Sequence, residues 1–214
     1  MHISEGLLPA PLWLGGYGIT ALLTGWSLHL LQRLEKDPRR QLPKAALLTA
    51  AFFVASSIHL PFPPASLHLL LNGLLGVMLG ALAYPAIVVG LFFQAVAFGH
   101  GGLTTLGINA AIMGIPALLA GGIFRMGRRR LGDGLAAFWA GAAGVGLAAL
   151  LFYEVVMAAL LGEGTVSTQA ERLALGSLVM AHLPLAAVEG LFTCWVVRFL
   201  QRVQPELLGE DAKR

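Results

Sequence analysis

Apolar residues run along this chain in seven stretches of helical length, near 12–31, 43–60, 68–83, 85–99, 103–124, 134–161 and 170–200, parted by proline, glycine and clusters of charge. A surface helix of a soluble protein repeats its apolar face every three to four residues, whereas these stretches are apolar all round. Most approach the roughly 20 residues that a helix needs to cross a bilayer. The pattern predicts an all-α, polytopic membrane protein with seven transmembrane helices. The third and fourth stretches are short for a full span and are separated only by Tyr84-Pro85. Pro85 cannot extend a preceding hydrogen-bond ladder and favours a helix start, so a tight turn is expected there. A single kinked helix is the alternative.

Charge separates the two. Arg33, Lys36, Arg39, Arg40 and Lys44 follow the first stretch, Arg125, Arg128, Arg129 and Arg130 the fifth, and Arg198, Arg202, Lys213 and Arg214 the seventh. A seven-helix path puts these thirteen of the fourteen basic residues on one side and leaves only Arg172 on the other. By the positive-inside rule the amino terminus is then outside and the carboxyl terminus cytoplasmic. Merging the third and fourth stretches would send the later two clusters to the side opposite the first. The expected organisation is one integral membrane domain: an outer lead-in over 1–11, a helix bundle over 12–200 and a cytoplasmic tail over 201–214.

Composition agrees. Hydrophobic residues make up 57% of the 214 and charged residues 12%, against roughly 25% charged in an ordinary soluble domain. The formal charge of +3 is accounted for by helix orientation, so nucleic acid is not implied. Cys194 is the single cysteine and excludes an intrachain disulfide. No basic segment precedes the first apolar stretch, as a cleaved signal peptide would require. Phosphate-binding loops, nucleophile–base pairs and zinc-protease histidine motifs are all missing, which argues against an ATPase or a membrane enzyme. Many of the 27 glycines, notably Gly73, Gly76, Gly80, Gly121, Gly122, Gly141 and Gly144, are expected to let helices approach closely. Gly18, Ala21 and Gly25 on the first stretch form a small-residue face open to another subunit.

The candidate chemistry sits at the outer face. With a free amino terminus, the amine of Met1, the amide nitrogen of His2 and an imidazole nitrogen of His2 can chelate one ion through a five-membered and then a six-membered ring. A bulky second residue such as His2 blocks removal of the initiator methionine, so Met1 is expected to remain. His59 and His68 lie in the loop between the second and third stretches, on the amino terminus's side, and His100 lies in the turn Phe98-Gly99-His100-Gly101-Gly102. His68 can complete a four-nitrogen set, whereas His59 and His100 are read as interfacial anchors. Four nitrogens in a plane suit Ni(II) or low-spin Co(II), and a structural zinc site would more often be tetrahedral with thiolate. Gln94 and Asn109 are expected to orient the ligands from behind.

The opening Met1-His2-Ile3 with Glu5-Gly6, the segment from Phe93-Gln94 to Gly99 leading into Gly101-Gly102-Leu103-Thr104-Thr105-Leu106-Gly107-Ile108-Asn109, and Ala181-His182-Leu183-Pro184 with Glu189-Gly190 together resemble the CbiM/NikM family. Those are the cobalt- and nickel-capturing S components of energy-coupling factor transporters. The resemblance implies six core helices plus an extra amino-terminal one, and a square-planar metal site carried here by Met1, His2 and His68. It implies Ni(II) or Co(II) as the transported substrate and no prosthetic group. The implied partners are a transmembrane T component, two cytoplasmic ATPases and a small accessory membrane subunit, in the cytoplasmic membrane of a prokaryote. A self-sufficient secondary divalent-metal transporter is the alternative. It would need coupling residues along a pathway, and the spans offer only Glu154, His182 and Glu189. Such residues usually face a bundle interior, and hydrogen bonding to neighbouring helices is the expected role of His182 and Glu189.

Overall fold

The computed structural model describes residues 2–34, 37–58, 60–62, 65–162 and 169–208. Among these it contains helices α1 (Ala10–Leu34), α2 (Leu42–Ser57), α3 (Asn72–Leu79), α4 (Ala83–Phe98), α5 (Leu106–Gly162) and α6 (Gln169–Val203). Gly132, with φ of 75°, breaks α5 into two arms. That break falls between the predicted 103–124 and 134–161 stretches. A minimal antiparallel hairpin departs from the all-α expectation: β1 (Leu60–Phe62) pairs with β2 (Ala65–Leu67), Leu60 opposite Leu67 and Phe62 opposite Ala65.

Contacts fix the direction of each helix. Gly16 of α1 packs on Ile108, and the Thr20 hydroxyl donates to Gly107 O at 2.7 Å, so α1 starts level with the start of α5. Asn72 Nδ2 donates to Met113 O at 3.3 Å, Gly76 packs against Ala117 and Gly121, and Gly80 approaches Arg125. Helix α3 therefore runs parallel to the first arm of α5. The Tyr84 ring then lies on Gly114, and Gln94 reaches Ser56 near the end of α2, so α4 runs back. The second arm of α5 and α6 repeat the antiparallel pattern, with Gly134 on Arg198 at one level and Gly141 on Thr193 at the next.

The turn between α3 and α4 is real but displaced from its predicted place. It falls at Gly80, whose φ of 54° and ψ of −119° lie where a side chain would clash, followed by a 3₁₀ turn over Gly80–Leu82. Tyr84 and Pro85 instead occupy the first turn of α4, where proline costs nothing. The predicted 68–83 stretch yields only eight helical residues. Its first four are non-helical chain leading into the bundle, and Leu71 adopts a left-handed φ of 49° at the helix start.

Core packing rests on glycine. A Cβ at Gly73 would lie 2.7 Å from Gly141 Cα, and one at Gly144 would lie 2.6 Å from Gly73 Cα. Leu74, Leu75, Ile112, Met113 and Ala117 fill the space around these contacts and are buried. The outer surface is apolar: Leu22, Leu191 and Trp195 are each more than 60% exposed, as suits side chains facing lipid rather than water. Among the described residues three continuous stretches are long and apolar enough to cross a membrane: Asn72–Phe98, Leu106–Leu161 and Glu171–Val203. Gly18, Ala21 and Gly25 are exposed, and a Cβ at either glycine would meet nothing.

Basic residues gather at one end of the bundle. There Arg128 pairs with Asp133 at 2.8 Å, Asp133 also accepts from Gln201, and Lys44 donates to Leu207 O at 3.1 Å. At this end α6 runs to Val203, and a 3₁₀ turn over Pro205–Leu208 folds Leu207 and Leu208 back onto the core.

Candidate metal centre

The opposite end is polar and is organised around Ile3. The Ile3 N–H donates to Asn109 Oδ1 at 2.9 Å, while Ile3 O accepts from Asn109 Nδ2 at 3.0 Å and from Thr105 Oγ1 at 2.8 Å. One carboxamide thus pairs with both the donor and the acceptor of Ile3, a residue 2% exposed. Glu5 adds a second tether by accepting from Thr104 N at 3.1 Å. The turn before α5 must pass close beneath this segment. At Gly101, φ of 84°, a Cβ would lie 3.0 Å from Asn109 Nδ2, and at Gly102, φ of 137°, it would lie 2.7 Å from a Glu5 carboxylate oxygen. Only glycine fits there, on both backbone and steric grounds.

This clamp delivers His2 into a cluster. The imidazoles of His2, His68 and His100 offer nitrogens that all lie within 4.8 Å of one another. The His2 ring centroid is 5.2 Å from that of His68, with planes 30° apart, and 4.4 Å from that of His100, with planes 87° apart. His68 and His100 are 6.0 Å apart and nearly perpendicular. Two rings are therefore close to parallel planes and the third stands edge-on to both. Both ring nitrogens of His2 are buried without an aligned hydrogen-bond partner. Buried polar atoms are nearly always paired, so two orphans on one ring mark a place where a ligand is expected.

Each partner ring is placed by a specific backbone device. His68, 3% exposed, follows β2 and precedes Leu70 and Leu71, whose N–H groups donate to the Glu189 carboxyl oxygens, the second at 2.9 Å. Glu189, on α6, thus holds the strained start of α3 and with it the stem of His68. The Nδ1 of His68 lies 3.3 Å from Leu69 O. A carbonyl only accepts, so Nδ1 carries the proton there and Nε2 keeps its lone pair. His100 is set by the end of α4, where Gly99 turns left-handed and His100 N donates to Gln94 O at 3.2 Å. Burial above all pushes the His2 imidazole well below its usual pKa, and the neighbouring His68 and His100 rings act in the same direction. Neutral imidazole is the form that binds metal.

The structure thus brings His2 and His68 together, as expected, and adds His100, which its sequence context had marked as an anchor. The signal was local: three glycines at positive φ around His100 reverse the chain directly beneath the amino-terminal segment. Met1 and His59 lie outside the described residues. Asn109 bonds the backbone of Ile3, the residue next to His2. Glu189 meets its expected role by bonding to backbone of another element. His182 departs from it, since its Nδ1 pairs with Leu178 O of its own helix at 2.7 Å. Glu154 also departs: it is exposed, while its neighbours Phe152 and Val156 line a cavity of about 210 Å³ beside His2, Ile3, Leu7 and Leu8.

Residues 2–207 match the family model CbiM, described as the cobalt uptake substrate-specific transmembrane region. The chain is 34% identical to the cobalt transport protein CbiM of Sorangium cellulosum, over 97% of this chain and 94% of that one. It is 32% identical to a fused nickel transport protein NikMN of Rhodobacter capsulatus, over 98% of this chain and 64% of that one. A crystal structure described as a truncated transition metal transporter superposes with a TM-score of 0.82 at 25% identity, covering 95% of this chain and 99% of the other. A family match over almost the whole chain, on a fold shared with a transition metal transporter, has one plain reading: this chain is a member of the CbiM family of cobalt and nickel transport membrane proteins.

Proposed function

We propose that this chain is the substrate-capture subunit of an energy-coupling factor transporter, holding Ni(II) or Co(II) as cargo at the outer face. The observation that carries the reading is the His2 imidazole, buried with both nitrogens unpaired, within reach of two further imidazoles. Three donors of the proposed set belong to the first two residues: the Met1 amine, the His2 amide nitrogen and the His2 imidazole. His68 supplies the fourth through Nε2. The 30° between the His2 and His68 rings suits a shared coordination plane, and planar nitrogen sets favour Ni(II) and low-spin Co(II). His100, edge-on to both rings, fences one axial approach to that plane.

Topology and energetics complete the proposal. Basic residues at one end and histidines at the other support an outside amino terminus and a cytoplasmic carboxyl terminus across seven helices. The chain is a single integral domain in the cytoplasmic membrane of a prokaryote and is no enzyme. It has no phosphate-binding loop, so a T component and two cytoplasmic ATPases, with a small accessory membrane subunit, supply the work. The alternative of a self-sufficient secondary transporter needs a polar path between the two ends. The glycine contacts and the buried Leu74, Leu75, Ile112 and Met113 leave little room for one. Glu189, the ionisable residue between, is engaged by Leu70 and Leu71.

The test is binding of NiCl₂ and CoCl₂ to purified protein that begins at Met1, against the same protein with a Gly-Ser extension. Extension should abolish tight binding, because it converts the amine to an amide. Unchanged affinity would overturn the clamp. Metal uptake by vesicles holding this chain without ATPases would overturn the capture role.

A further inference from the structure

A chelate through His2 dictates which ring nitrogen binds. Closing a ring from the His2 amide nitrogen through Cα, Cβ and Cγ to Nδ1 gives six members with the metal, whereas Nε2 lies on the far side of the imidazole. Nδ1 must then present its lone pair and Nε2 must carry the proton. An imidazole N–H in buried surroundings needs an acceptor, and ligating histidines are oriented by the group that takes that proton.

Among the described side chains, one buried carboxamide oxygen has no aligned partner. Gln94, on α4, is 1% exposed, and its Oε1 has no aligned partner. The orientation of its carboxamide is determined by α2. Ser56 donates its only hydroxyl proton to Phe52 O, so its oxygen can only accept, and the group facing it must be the Gln94 NH₂. The same NH₂ lies 3.4 Å from Phe53 O. With Nε2 committed to α2, Oε1 is the atom left to turn elsewhere. Gln94 sits beside the histidine cluster, since its backbone carbonyl accepts from His100 N at 3.2 Å and the His100 ring lies 4.4 Å from that of His2. The His2 ring nitrogens and Gln94 Oε1 are thus neighbouring buried atoms without aligned partners, and the Gln94 side chain is near enough to act on the His2 imidazole.

We propose that Gln94 is a positioning residue of the metal centre: its Oε1 accepts the Nε2–H of His2 and holds the ring in the tautomer whose Nδ1 points at the ion. The relay runs from Phe52 O through Ser56 Oγ and Gln94 to His2, so the end of α2 sets the ring orientation of a residue at the other end of the sequence. This rests on the proposed capture of metal through His2. Gln94 does not touch the ion. It decides how much of His2 is poised to bind.

The experiment uses the full chain with its native Met1, titrated with NiCl₂ against a competing chelator, and ¹⁵N-histidine NMR of the nickel-loaded, diamagnetic planar form. Gln94→Met should lower nickel affinity about 10- to 100-fold, the usual cost of losing such a partner, and should speed solvent exchange of the His2 Nε2–H. Gln94→Glu keeps an acceptor oxygen and should stay within about threefold of native. Ser56→Ala frees the carboxamide to flip and should cost about 3- to 10-fold, which keeps the test open if Gln94→Met does not fold. Native affinity in both Gln94→Met and Ser56→Ala, with binding abolished in His2→Ala, would overturn this inference and leave metal capture standing. Equal losses in Gln94→Met and Gln94→Glu, or a loss in His100→Phe with none in Gln94→Met, would overturn it too. Unchanged binding in His2→Ala would instead bring down the capture reading, and this inference with it.

Discussion

The amino-terminal segment and the α3–α5–α6 core solve opposite problems. Among the described residues the buried polar side chains on the core helices are few, Asn72, Asn109, His182, Glu189 and Thr193, and the helices touch backbone to backbone at Gly73, Gly76, Gly141 and Gly144. In lipid, where burying apolar groups gains nothing between helices, such close packing is what holds a bundle together. The amino-terminal segment has no helix to lend it rigidity. It is held by side chains that read its backbone, Asn109 and Thr105 at Ile3, and by its own Glu5, whose carboxylate accepts from Thr104 N. The first arrangement gives a stable frame, while the second holds the chain beside His2 in place. Stability and metal affinity should therefore fail independently.

The largest effect expected is in the core. Gly76→Leu drives a side chain into the carbonyl of Ala117, which is backbone and cannot step aside. Overpacking commonly costs about 1–3 kcal/mol and more where backbone must move. The variant should yield little monodisperse protein by size-exclusion chromatography in detergent. Recovery at native levels with native metal affinity would show that the core tolerates separation. Next in size is His2→Ala, which removes a ring whose two nitrogens have no aligned hydrogen-bond partner. Nickel affinity should fall by more than about 100-fold, more than one metal-orienting partner usually costs. The melting temperature of the metal-free protein should stay within about 2 °C. A large drop in metal-free stability would mean that the histidine end is structural after all.

Asn109→Ala tests the clamp itself. It strips Ile3 of a donor and an acceptor in a buried place, and an unsatisfied buried group costs about 1–3 kcal/mol. That cost falls on ordering a terminal segment and not on the helices. Metal affinity should drop about tenfold while the melting temperature moves by only a few degrees. Equal loss of both would erase the distinction between the two regions.

The sequence made the helices legible because lipid-facing runs are apolar all round, and charge placed the turns between them. The exact break at Gly80 was not legible. Gly73, Gly76 and Gly80 follow one another at helical spacings of three and four, yet two serve close packing and the third serves a positive φ that only the chain reversal demands. His68 was read correctly as a neighbour of His2, since its loop lies on the amino terminus's side. His100 was not, because its approach to His2 depends on Gly99 turning left-handed after α4. Glu154 was expected to face inward on the cost of a charge at the bilayer centre, but its neighbours Phe152 and Val156 lie at the level of His2, near the bundle's end, where that cost fades. The Asn109 clamp spans 106 residues in sequence, a pairing that no local pattern encodes.

Glu189 belongs to both regions and gives the smallest and most discriminating effect. It lies in the core on α6, 1% exposed, yet both of its oxygens serve Leu70 and Leu71, one and two residues beyond Leu69 on the stem of His68. Glu189→Gln keeps one acceptor and turns an amide NH₂ toward the other backbone N–H, so one bond is lost and one donor is left facing a donor. A single net hydrogen bond is worth about 0.5–1.5 kcal/mol. Leu71 keeps its left-handed φ only while the neighbouring bonds enforce it, so that loss should appear as looser placement of His68. Nickel affinity should fall about three- to tenfold, with a shift of a few degrees in the melting temperature. Glu189→Asp, too short to reach both N–H groups, should do the same. If either variant lowered the melting temperature while leaving nickel affinity at the native value, Glu189 would belong to the frame alone and His68 would owe its position to the β1–β2 hairpin.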